Sequence, residues 1–307
     1  MGLKTFIIKN SIRFILTLFF ITIISFIFVK ISPVDPATAY ARRVFITSNE
    51  KIEVIREEMG LNKPFTSQYI DWVKGAVRGD FGKSLINAKD VYLEIKVASA
   101  YTIKIVVIAI FIQGFGAVIF ALILFLNKEN YISKLMNVLY VIGVSIPPFI
   151  IAGIILEILA VKFQLIRISK NTGISRYLPA AISLSINGIA YFGKILNDAI
   201  EREMNCNDSF YARTLGLTDF QILKKYTLVQ ATLSILPSFM QMMGMCFAGS
   251  IIVEQVFGLP GIGSLIINSV LLRDAPMIHG LVLFLGIVTS LFLLIADILK
   301  RIGSTNG

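Results

Sequence analysis

The chain has 307 residues, 56% hydrophobic and 16% charged, with a mean hydropathy of +0.78 and a net charge of +10. A soluble domain carries about 25% charged residues, so this composition excludes a disordered chain and argues against a soluble enzyme. The excess of Lys and Arg forms no basic stripe interleaved with aromatics, so no nucleic-acid partner is expected; it fits the basic bias of cytoplasmic loops in membrane proteins.

Six uncharged runs follow in chain order: 14–29, 105–127, 135–156, 177–193, 226–253 and 275–296. About 20 apolar residues cross a bilayer as a helix. The first and fourth runs are short, but each extends past a single Lys or Arg that can snorkel. The pattern predicts an all-α integral membrane protein with six transmembrane helices. A further uncharged stretch, 255–272, holds Gly258, Pro260, Gly261 and Gly263 and reads as a re-entrant or surface segment. The N-terminal run is too long for a signal-peptide core and is read as an uncleaved first helix.

The positive-inside rule sets the orientation. Segment 1–13 has three basic and no acidic residues, which places both termini in the cytoplasm. The inside segments then hold eleven basic residues against five in the short outside loops. One outside loop disagrees, with Lys162, Arg167, Lys170 and Arg176 and no acidic neighbour. Segment 32–98, with 10 basic and 9 acidic residues, is long enough for a small extracytoplasmic subdomain. In it Ser48 is placed to cap a short helix that Gly60 ends, and Gly79 and Gly82 mark turns. The expected organisation is 1–31, a cytoplasmic end and first helix; 32–98, the outer segment; 99–300, a core of five helices; and 301–307, a tail.

The inside loop 201–226 is the most informative polar stretch. Asp208 or Ser209 is placed to cap a helix through Phe210, Tyr211, Ala212, Arg213, Thr214 and Leu215, and Gly216 breaks it. Thr218 or Asp219 caps a second helix over 220–226. Helix, glycine and helix make a compact knob with Phe210, Tyr211, Leu215 and Leu217 as apolar surface; an ordinary inter-span loop is an equally good reading of these residues alone.

The segment Tyr211-Ala212-Arg213-Thr214-Leu215-Gly216-Leu217 resembles the EAA signature of bacterial ABC-importer permeases. Residues 253–263, with Glu254, Pro260, Gly261 and Gly263, resemble the V-E-x-I-F-x-x-P-G-x-G signature of the dipeptide/oligopeptide/nickel branch. Asp274, Pro276 and Gly280 resemble its D-x-P-x-x-x-G stretch, and 32–37, 59–64 and 78–84 resemble three outer elements. The resemblance implies the type I ABC-importer permease fold and one half of a heterodimeric pathway for peptides or nickel, bare or chelated. Its implied partners are a second homologous permease, one or two cytoplasmic ATP-binding subunits and an extracytoplasmic solute-binding protein, at a bacterial cell membrane. Carried over, Phe210, Tyr211, Ala212, Arg213, Leu215 and Gly216 would contact the ATPase. The sequence departs from the family at Phe210-Tyr211, at Val34 for a glycine, at Ser234 for a proline, and in lacking the D-P-R ending.

Glu157, Lys194, Asp198 and Asp297 interrupt apolar stretches, and interfacial placement near helix ends is favoured over pathway lining. His279 is the only histidine and no CxxC occurs, so no metal site or cofactor is expected. Met240, Met242, Met243 and Met245 read as flexible packing. No G-x-x-x-x-G-K-[ST] exists, so ATP hydrolysis belongs to another chain and this one is not an enzyme. An intramembrane enzyme would need paired catalytic groups, and none is visible. An ion-driven secondary transporter is the alternative, though no internal repeat supports it.

Overall fold

The computed structural model describes residues 3–32, 35–128, 130–163 and 173–305. Val34, Arg167 and Lys170, singled out above, and the last two residues of the expected tail lie outside them. The helices in chain order are α1 (Leu3–Ile31), α2 (Pro36–Arg43), α3 (Asn49–Glu58), α4 (Phe65–Val77), α5 (Val91–Leu126), α6 (Tyr131–Ser145), α7 (Pro148–Leu156), α8 (Leu178–Met204), α9 (Asn207–Thr214), α10 (Asp219–Ile222), α11 (Leu228–Val256), α12 (Ile262–Leu271) and α13 (Ala275–Thr305). Wider π-helical turns extend α7 over Glu157–Lys162 and join α10 to α11 over Leu223–Thr227. Among the described residues the only β-pairing is an isolated Lys83–Asp90 bridge.

Among the described residues four continuous helices are long and apolar enough to cross a membrane: Thr5–Ile31, Val91–Leu126, Asp219–Val256 and Ala275–Ile302. They contain the first, fifth and sixth expected runs and all but the last residue of the second. The third run is interrupted: α6 and the continuation Pro148–Lys162 are separate rods bent by 100°. Pro147 and Pro148 lack the N–H groups a continuous helix needs. The fourth run lies in α8, whose 27 residues reach about 40 Å at 1.5 Å per residue. α8 is long enough but not among the apolar four, because α6, α7 and α11 pack around it. A span wrapped in protein need not be apolar, since its polar groups find protein partners instead of lipid. Ser183 and Ser185 accordingly donate to the carbonyls of Pro179 and Ala181 one turn back, at 2.8 and 2.5 Å.

The chain forms two compact units, Met1–Thr102 with Leu259–Ser290 and Ile103–Gly258 with Leu291–Gly307. In the first, Val91, Ile95 and Ala98 of α5 pack with Ile262 of α12 and with Met277 and Leu281 of α13. α1 keeps Ile8, Ile15, Phe20 and Phe28 exposed, the surface a lipid-facing helix requires. In the second, Ala121 of α5, Leu196, Ala199 and Ile200 of α8, and Ala231 and Ile235 of α11 form a core closed from the loop side by Ile222 and Leu223. Within a bilayer such packing is held by close fit and dispersion, because lipid tails are as apolar as leucine.

Several local expectations resolve in detail. α3 begins after Ser48, but the serine side chain makes no capping bond. Gly60, Gly79 and Gly82 all have positive φ and end or turn their segments. Stretch 255–272 is no span: it is a turn followed by the ten-residue α12.

Candidate functional site

The knob grows from the end of α8. Neither Asp208 nor Ser209 caps α9: the helix starts at Asn207 with Cys206 as its N-cap, and Ser209 Oγ instead donates to the Glu203 carbonyl at 2.6 Å. α9 ends at Thr214 with Leu215 as its C-cap, and Gly216 reverses the chain with φ +86°. A capping box then opens α10, in which Gln221 N–H donates to Thr218 Oγ1 at 3.4 Å and the Thr218 amide to Gln221 Oε1 at 2.9 Å. The expected helix 220–226 is a single α turn followed by a π turn.

Arg213 ties the knob together. Its Nε donates to Asp219 Oδ1 at 2.7 Å and its Nη1 to the Met204 carbonyl at 3.0 Å, so one side chain spans α8, α9 and the start of α10. The second bond places a cation at a helix C-terminus, where the dipole favours it. Ala212 and Leu217 face inward onto the α8–α11 core. Phe210, Tyr211 and Leu215 are 68%, 65% and 65% exposed, and Phe220 joins them. Four large apolar groups on one polar loop, held by internal bonds, form a surface suited to docking another protein. Behind them lies a cavity of about 400 Å³ lined by Cys206, Tyr211, Ala212, Leu217, Ile222 and Tyr226 among others. Of the six residues expected at this contact, Phe210, Tyr211, Leu215 and Gly216 lie on the surface, whereas Ala212 and Arg213 hold the element in shape.

The other signature residues have structural partners. Glu254 on α11 is fully buried. In the first unit, Gly261 is the N-cap of α12, and the next amide, of Ile262, donates to Thr102 Oγ1 at 2.8 Å. Pro260 and Gly261 line a groove of about 520 Å³ with Lys89, Asp90, Glu94 and Asn268. Gly263 is buried in the first turn of α12. Asp274 is fully buried and accepts from Ser84 Oγ at 2.5 Å, Leu85 N–H at 3.1 Å and Met277 N–H at 3.4 Å. It therefore caps α13 and ties the outer segment to it. Arg43 reinforces the tie by donating to the carbonyls of Leu85 and Leu272 at 3.0 and 2.9 Å, and Arg273 donates to Ser32. Pro276 follows in the first turn of α13, where the missing N–H costs no helical bond.

His279 sits in an aromatic nest, stacked on Phe26 at 3.8 Å and edge-on to Trp72 at 5.8 Å, with Nδ1 bonded to Ser25 Oγ at 2.8 Å. Phe26, Trp72 and His279, with Met59, Gln68, Phe81 and Pro276, line a cavity of about 390 Å³. Among the described residues no cluster of His, Cys, Asp and Glu suits a metal ion. Of the charges that interrupt apolar stretches, Lys194 pairs with Asp198 one turn on at 3.0 Å; outside those stretches Lys128 reaches Glu201 at 3.6 Å. Outside the spans, Asp35 caps α2 by accepting from the Thr38 amide at 2.7 Å and pairs with Arg56. Burial raises its carboxyl, but the Thr38 and Arg56 bonds outweigh it and hold the group below its ordinary 3.8.

Sequence reasoning missed Arg43, Ser84 and the buried Gln113 of α5, whose Nε2 donates to the Leu184 carbonyl at 3.0 Å. Only Gln113, an amide near the middle of a 23-residue uncharged run, carried a visible signal.

Residues 100–304 match the family described as "Binding-protein-dependent transport system inner membrane component". Residues 3–88 match its companion, "Binding-prot-dependent transport system membrane comp, N-term". The "Glutathione transport system permease protein GsiC" of Escherichia coli (strain K12) is 27% identical over 300 residues, covering 96% of this chain and 95% of its own. The protein of the same name from Shigella boydii serotype 4 (strain Sb227) shows the same identity and coverage. A solved structure titled as an amino acid ABC transporter with histidines aligns with TM-score 0.46 and 20% identity, over 69% of this chain and 92% of its own.

Proposed function

The chain belongs to the family of binding-protein-dependent transport system inner membrane components, and from that membership we propose that it forms one half of a two-permease pathway for small peptides. It is a multi-pass inner-membrane permease of an ABC importer, a transport component rather than an enzyme, and works with an ATPase and a binding protein. Both termini and the 201–226 loop face the cytoplasm. α8 supplies the sixth span, within the five-helix core 99–300. Segment 32–98 receives the solute-binding protein at the outer face, and a second, homologous permease completes the path.

The observation that carries the coupling is the Arg213-braced knob with Phe210, Tyr211 and Leu215 exposed. A docking element must be stiff to transmit movement, and its apolar tips must be free to enter a groove. We assign ATPase contact to Phe210, Tyr211, Leu215 and Gly216, and bracing to Ala212 and Arg213. Closure of the ATPase then moves the α8–α11 core on which the knob rests, and the path alternates between outward and inward states. Glu254, Pro260, Gly261, Gly263, Asp274 and Pro276 hold the frame.

The peptide assignment is supported by relatives named for transport of glutathione, itself a tripeptide. Uptake by cells deleted for this chain, with and without its return on a plasmid, tests it using a labelled tripeptide, nickel and a nickel chelate. Restored tripeptide uptake supports the reading. Restoration of nickel or chelate uptake alone moves the substrate to the metal arm, and no restoration of any contradicts the transport role.

A further inference from the structure

Pro147 has no N–H, so the carbonyl four residues earlier, that of Gly143, loses the donor an α-helix would supply. α6 makes its last bond from the Ile146 amide to the Ile142 carbonyl at 3.2 Å, and α7 begins with the Ile150 amide on the Pro147 carbonyl at 3.0 Å. Helical bonding leaves the carbonyls of Gly143 and Ile146 without donors at this break. Asn187 of α8 meets both: its Nδ2 donates to Gly143 at 2.8 Å and to Ile146 at 2.9 Å. One side-chain amide therefore spends both its hydrogens where α6 runs into the 100° bend, one on its last turn and one on its C-cap, Ile146, whose carbonyl leads into Pro147.

The surrounding packing is shaped for this contact. A Cβ built on Gly143 would lie 2.7 Å from the Cβ of Ala190, so α6 approaches α8 at a distance only glycine allows. That approach, one turn along α8 from Asn187, is what brings the amide within reach of both carbonyls. The Asn187 Oδ1 is buried without a hydrogen-bond partner, which means the side chain is placed for its donors alone.

We propose that Asn187 is the pin of the α6–α7 bend: a positioning residue that supplies the donor Pro147 cannot give to Gly143, meets the Ile146 carbonyl left open where the helix stops, and fixes the angle at which α7 leaves α6. The angle matters because α6 and α7 both pack on α8, the helix that carries the knob at its end. Transport depends on the pin, and this second statement rests on the permease reading above. A hydrogen-bonded pin, unlike a proline kink alone, holds one angle against alternatives, since a kink without it has no group that selects among bend angles.

The test uses spin labels at Tyr131→Cys and Val161→Cys, exposed positions on the two arms, with Cys206→Ser and Cys246→Ala in the full chain co-expressed with its partners. The parent is expected to give one narrow distance. Asn187→Leu, of similar size but without donors, is expected to broaden or shift it, and to lower peptide uptake by on the order of tenfold. Asn187→Asp, which keeps acceptors and loses donors, is expected to behave like Asn187→Leu, and Asn187→Gln to retain part of the narrow population. An unchanged narrow distance in Asn187→Leu and Asn187→Asp overturns the pin. A changed distance with parental uptake leaves the pin in place and overturns its link to transport. Should neither variant accumulate, Pro147→Ala is added to return an N–H to Gly143: recovered accumulation supports the pin and continued loss overturns it. The distance measurement involves no transport, so failure of the pin and failure of the permease reading are distinguishable.

Discussion

Gly216 gives the sharpest test of the knob. Its φ is +86°, a left-handed value that costs an L residue about 1–2 kcal/mol. A Cβ added there meets nothing within 4 Å, so the cost is conformational and carries no clash inside this chain. Gly216→Ala should therefore lower the population of the docking conformation by roughly 5–30-fold. Asn tolerates this region best after glycine, so Gly216→Asn should cost less than Gly216→Ala, and Gly216→Val more than either. The assay is affinity of the reconstituted permease for its ATPase, measured beside solute-stimulated ATP hydrolysis. A backbone role predicts the order Gly, Asn, Ala, Val. A role in which the ATPase surface tolerates no side chain predicts that Asn is worse than Ala, because Asn is larger. That reversed order, or equal affinity for all four, would refute the argument from backbone conformation.

Two further outcomes follow from the outer segment. Asp274→Ala should destabilise the tie between that segment and α13 by about 1.5–3 kcal/mol, since it strands the Ser84 hydroxyl and the Leu85 amide; faster limited proteolysis within 32–98 in detergent is the check, and Ser84→Ala should show a smaller effect of the same sign. The Asp35 carboxyl is held below 3.8, so its contribution is fully present above that value and is lost as pH falls through the lowered one; hydrogen exchange of α2 should rise at that acid end in the parent and be independent of pH there in Asp35→Asn.

The spans that face lipid were legible because lipid enforces apolar side chains along their whole length; α1 and α5 are long runs with exposed Ile, Leu and Phe. α8 was legible only in part for the opposite reason. Wrapped by α6, α7 and α11, it can carry Ser183, Ser185, Asn187 and Asn197, and these dilute the apolar signal. Pro147 and Pro148 are helix breakers by residue type alone, but the side chain that meets the carbonyls at the break, Asn187, lies 40 residues after Pro147. The helix–glycine–helix pattern of the knob was readable from Gly216 and Thr218, whose roles are local. Its bracing was not, because Arg213 reaches back to the Met204 carbonyl, a group without a side-chain signature. Ser84 and Asp274 are 190 residues apart, and nothing in either segment names the other as its partner. The π turn at Leu223–Thr227 escaped notice because its sequence, LKKYT, is compatible with an ordinary helix.

The central claim is that an ATPase drives this permease through the knob. Proteoliposomes holding this chain, its partner permease and the ATPase, with solute-loaded binding protein outside and ATP inside, test it most directly. Peptide uptake is expected to require ATP and to be indifferent to collapse of proton and sodium gradients. Phe210→Ala with Tyr211→Ala is expected to leave the helices folded and to abolish that uptake. Uptake that persists without ATP and follows an ion gradient, or that survives loss of both aromatic tips, would contradict the claim.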